Sequence, residues 1–138
     1  MTFESPPSEP DPYVVALDEV AALDTQIARL SAVRARRVTD AARELHRQAP
    51  VDTSTAGPVW STARVERVEL LTELALLTRR TEYRTAVLVD TSTALVDRLP
   101  ATLAAVAAGA VSWEHAEVIA KHADGLDTTP VCRCLRRR

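Results

Sequence analysis

The sequence predicts an all-α protein: one long N-terminal helix, a bundle of about four shorter helices, and flexible termini. Three observations carry this. Of 138 residues, 23 are Ala and 15 Leu against only 3 Gly, and Ala and Leu lose little on entering a helix. Apolar residues recur at three- and four-residue steps through most of the chain, the spacing of a helical face. No stretch alternates apolar and polar residues far enough to make a strand. A chain of this length is normally one domain with one modest core.

The elements follow in order. Residues 1–12, MTFESPPSEPDP, combine four Pro with three acids and read as a disordered acidic tail. A helical domain is expected over residues 13–127. Its first helix runs from Tyr13 to Gln48, uninterrupted by Gly or Pro. Val20, Leu23, Ile27 and Leu30 share one face, and the stripe drifts on to Val38, Ala41 and Leu45. A helix this long asks for a coiled-coil-like partner or a bend. Its acidic first half and basic second half complement the macrodipole. Residues 49–62, with Pro50, Gly57 and Pro58, form a loop.

Arg64 to Thr78 is predicted as the second helix. Val65, Val68, Leu71 and Ala75 share a face that Leu70, Leu74 and Leu77 widen, so this helix is expected at the bundle centre. Residues 79–81 make a short break with Thr81 as the next cap. The third helix spans Glu82 to Arg98 and stops ahead of Pro100. Pro100 suits the first turn of a helix over Ala101–Ala108 that Gly109 ends. Ser112 caps a last helix from Trp113 to about Ala123. Residues 128–138 are an off-pattern basic tail.

Charge narrows the function classes. The net charge of −2 excludes a strongly basic nucleic-acid binder. Residues 1–27 hold six acids and no base, whereas Arg29, Arg34, Arg36, Arg37, Arg43 and Arg47 crowd the second half of the first helix. The longest charge-free run, Leu99 to Trp113, is 15 residues and falls short of the roughly 20 a membrane span needs. No signal peptide is evident. Cys132 and Cys134 lie too close to staple a domain, so a cytoplasmic location is expected.

No catalytic, metal or cofactor site emerges. Three Gly cannot write a phosphate loop, and no paired-carboxylate or Ser-His-Asp pattern is present. His115 and His122 are seven residues apart, roughly 10.5 Å along a helix, too far to share one zinc. Cys132, Cys134 and His122 lack a fourth ligand. The candidate nucleic-acid contacts are Arg34, Arg36, Arg37 and Arg43, with Arg84 near the start of the third helix. The second helix, break and third helix suggest a helix-turn-helix, although Asp90 and Asp97 on the recognition helix would repel phosphate.

The segment Ala94–Ala120, ALVDRLPATLAAVAAGAVSWEHAEVIA, carries one further signal. Leu99, Pro100, Gly109, Ser112, His115 and Ile119, together with Thr102, Leu103, Ala104, Ala105, Ala116 and Val118, follow a signature in order. Glu73-Leu74-Ala75 matches an element of the preceding helix. The run resembles domain-of-unknown-function family 222, a helical region found mainly in actinobacteria upstream of an HNH endonuclease domain. The resemblance covers roughly Val65–Leu126, and more weakly back to Tyr13. It implies a helical domain associated with a nuclease but not the nuclease chemistry: an HNH site needs an Asn, and this chain has none. The family continues past the equivalent of Leu126 where this chain turns to DTTPVCRCLRRR, so a truncated or frameshifted gene product is expected, with the Val118–Ile119 face left uncovered. The leading expectation is a non-catalytic helical domain of this family. Two alternatives stay open: a DNA-binding module using the Arg residues, and a homodimer or interaction module built on the long first helix.

Overall fold

The structure, a computed structural model, describes residues 11–48 and 62–123. They form an all-α fold of five helices: α1 (Pro12–Gln48), α2 (Thr62–Thr78), α3 (Glu82–Asp97), α4 (Pro100–Ala107) and α5 (Trp113–Ala123). No strand occurs among the described residues. The 49–61 part of the expected loop, the 1–10 tail and the basic tail lie outside the described residues.

Each helix starts and stops for a local reason. Asp11 Oδ1 accepts from the Tyr13 N–H at 2.9 Å and its carbonyl accepts from Val15 at 3.0 Å. Asp11 therefore caps α1 with Pro12 as its first residue, and these two belong to the helix rather than to a disordered tail. Thr81 caps α3 by accepting from the Arg84 N–H at 3.3 Å. Pro100 opens α4. At the ends of α2 and α4 the chain turns through the same paired bonds. Arg80 donates to Ala75 and Arg79 to Leu76; Ala110 donates to Ala105 and Gly109 to Val106. This is the Schellman arrangement, which needs a left-handed residue at its pivot. Gly109 supplies it at φ 77°, and Arg79 supplies it at φ 53° despite its side chain.

The centre of the bundle is α3, not α2. Its buried residues are Thr85, Leu88, Val89, Thr91, Ser92, Ala94 and Leu95, and α1, α2, α4 and α5 all pack on it. The expectation for α2 fails because only Leu70 of that helix is buried; Val65, Val68, Leu76 and Leu77 stand exposed. α2 lies along the flank of α1 and α3 and uses a narrow strip of its wide apolar surface.

The inward face of α1 also differs from the predicted one. Ala28, Ser31, Ala32, Ala35, Val38 and Thr39 are buried against the body, whereas Val20, Leu23, Ile27 and Leu30 are exposed. Of the continuation, Val38 and Leu45 turn inward and Ala41 does not. Small side chains set how near two helices can approach, so this Ala-Ser-Thr face can seat α3 and α4 closely although no hydrophobicity ranking selects it. Buried hydroxyls on both sides of this contact stay local: Thr39 of α1 donates to the Ala35 carbonyl and Thr85 of α3 to that of Thr81, both at 3.0 Å.

Candidate docking interface

The sequence-predicted cations are placed one by one. Arg34 is half-buried, with its guanidinium carbon 5.1 Å from the ring centroid of the buried Trp113, a cation–π contact. Burial, then the nearby Arg80, push its pKa down, while Glu114 pulls it up. Arg37 lies 3.6 Å from Asp40 on the same helix. Arg43 pairs with Asp97 of α3, and Arg84 with Glu117 of α5 at 3.4 Å. Arg36 is exposed and makes no ion pair among the described residues. The five do not converge on one surface: they ring α1 or tie helices together. The third helix of the helix-turn-helix expectation forms the core of the bundle, with Thr85, Leu88, Val89, Thr91, Ser92, Ala94 and Leu95 buried and Asp90 and Asp97 exposed.

Ion pairs that local spacing does not reveal complete the body. Arg67 of α2 grips Asp90 of α3 through two hydrogen bonds of 2.8 and 3.0 Å. That bonding holds its pKa above the usual arginine value.

The family-signature residues sit at helix boundaries. Leu99 is the half-buried residue preceding α4, Pro100 its first residue and Gly109 its left-handed end. Ser112 accepts from the His115 backbone N–H at 3.3 Å, and its hydroxyl lies 2.9 Å from His115 Nδ1. These contacts cap α5. Glu114 in the same turn has its pKa lowered, chiefly by its own backbone N–H and next by Ser112. Ile119 and its neighbour Val118 are exposed. Among the described residues, no group of three or more His, Cys, Asp or Glu is placed to hold a metal. Cys132 and Cys134 lie outside them.

What the structure does assemble is an apolar seam on the outside of α1. Tyr13, Val20 and Ile27 recur every seven residues, interleaved with Ala16, Leu23 and Leu30. This is the 3.5-residue repeat of a coiled-coil seam. Leu23 is 55%, Ile27 57% and Leu30 69% exposed. The next two seam positions are Arg34 and Arg37, where apolar character ends. Glu19 and Asp24 flank the seam, with Asp18 behind it. Every residue from Pro12 to Asp24 is exposed, so the first third of α1 projects past the body. The repeat was present in the sequence. Its exposure was not, because the body begins only at Thr25 and packs on an adjoining face of smaller residues.

No helix among the described residues is long and apolar enough to cross a membrane. No family model, curated protein or solved structure matches this chain.

Proposed function

We propose that this chain is a non-catalytic helical interaction module that docks a partner helix along the outer face of α1. The observation that carries the reading is the exposed seven-residue repeat on a helix whose adjoining face already forms the core. A contiguous exposed apolar surface with a polar rim is the physical mark of an association site. The Ala94–Ala120 signature supports placing the module among the helical regions of family 222, with HNH nuclease chemistry left to other proteins of that type. The nucleic-acid reading is the weaker one, because Arg34, Arg37, Arg43 and Arg84 are each engaged by a neighbouring side chain.

The test uses an environment-sensitive apolar dye on purified protein kept dilute, at about 1 µM, where mass action disfavours any complex. Dye emission should rise with the wild-type chain and fall sharply for the double variant Leu23→Glu, Ile27→Glu. Thermal unfolding of the helical body should stay within a few degrees, since neither side chain is part of the core. Unchanged dye emission, or collapse of the fold in the double variant, would show that these residues do not form a docking face.

A further inference from the structure

Independently of the α1 face, we infer that α2 is a strap. It leaves the body as one unit, hinged at residues 79–81, while α1, α3, α4 and α5 stay folded.

Packing separates α2 from the rest. Leu70 is its one buried residue, with Leu71 and Leu74 half-buried beside it. Among the described residues α2 touches α1 and α3 alone, whereas α1, α3, α4 and α5 each pack on all of the other three. Lifting α2 therefore breaks no contact within that four-helix body. It bares the apolar furrow between α1 and α3 where Leu70 joins the core. A freed helix of 17 residues is marginal in water, so detachment and melting are one event.

The polar groups set the balance. Arg67 grips Asp90 of α3, but the two side chains are 45% and 56% exposed, and ion pairs in solvent add little. Glu66 acts against closure. Its side chain is only 16% exposed. One carboxylate oxygen meets His46 Nδ1 at 3.0 Å, while the other, Oε1, is buried with no hydrogen-bond partner among the described residues. Shutting an oxygen away from water without a partner costs free energy, and the open state rehydrates it. The hinge adds strain of the same sign. Arg79 holds φ 53° in the closed form, and the opened chain is free to leave that region.

Native-state hydrogen exchange on the full chain, across urea concentrations below the unfolding midpoint, tests the strap. Residues 66–78 should share one opening free energy and one urea slope, and the slope should be well under that of residues 85–95. In the absence of urea, α2 protection should lie at least about tenfold below that of α3. Val106→Ala gives a second reading. Val106 is 0% exposed on α4, a helix that does not touch α2 among the described residues. The substitution should lower protection of residues 85–95 about tenfold and leave residues 66–78 unchanged, because the opened state keeps that packing. Glu66→Leu removes the unpaired carboxylate and should slow α2 opening about threefold or more.

A single opening free energy and slope shared by residues 66–78 and 85–95 overturns the strap, since all five helices would then open together. Unequal, urea-independent exchange along residues 66–78 overturns it as well, because that is fraying and not a unit. Equal losses of protection in α2 and α3 on Val106→Ala have the same meaning. The urea series needs no variant, so it decides even where Val106→Ala does not fold. Faster α2 exchange in Glu66→Leu would overturn the part assigned to the buried carboxylate.

Discussion

Arg79 holds the left-handed pivot at the end of α2 at φ 53°, a conformation that a side chain opposes and glycine adopts freely. The residue is exposed, so little packing would be lost on removing it. Arg79→Gly is therefore expected to stabilise the fold by about 1 kcal/mol, read as a higher urea midpoint with an unchanged slope. A lower midpoint would mean that the guanidinium contributes more than the strain removes. Gly109 holds the equivalent pivot of α4 and cannot be replaced in the same way. A Cβ there would lie 2.5 Å from Thr25 Cγ2 on α1, and its φ is 77°. Gly109→Ala combines backbone strain with overlap and should destabilise by roughly 1–3 kcal/mol. Thr25→Ser removes the clashing methyl and keeps a hydroxyl for the Ala21 carbonyl. It should recover part of that loss and leave the φ strain, a coupling that a double-mutant cycle measures. Additive effects would mean that Thr25 yields without resistance.

Among the elements, helix boundaries were legible in the sequence and helix faces were not. Thr81, Pro100, Gly109 and Ser112 act through their own backbone and its near neighbours, so each marks its helix end from local chemistry alone. The facing of α1 and the centrality of α3 depend on which surfaces meet. There, ranking residues by hydrophobicity misleads: Ala28, Ala32, Ala35 and Thr39 point inward while Leu23, Ile27 and Leu30 point out. The same reversal places the Thr- and Ser-bearing α3 inside and the Leu-rich α2 on the flank. The docking face was half legible, since its repeat could be counted but its exposure could not. Two truncations separate the helices. Leu95 is 0% and Leu77 81% exposed. Leu95→Ala on α3 should lose about 2–5 kcal/mol, whereas Leu77→Ala on α2 should change stability by less than about 0.5 kcal/mol. Equal losses would restore α2 to the core.

At the scale of the whole molecule, α1 belongs to two mechanical regimes. From Thr25 onward it is braced by the body, with Ala32 and Ala35 fully enclosed. From Pro12 to Asp24 every residue is exposed, and a helical segment of that length has little stability of its own in water. Local opening free energy should therefore fall steeply along one continuous helix. In dilute solution the amides of residues 14–24 should exchange hydrogen at rates near those of an isolated helix. Those of residues 31–39 should approach the protection of global unfolding. A partner helix docked on the seam changes one regime only: it should protect residues 14–24 many-fold and leave residues 31–39 unchanged, because their opening is already limited by the body. The variant carrying Leu23→Glu and Ile27→Glu should keep the dilute pattern whether or not such a partner is present. Uniform protection along α1 in that variant would mean that the projecting third is supported without a partner, and the seam would then lose its reason for a docked helix.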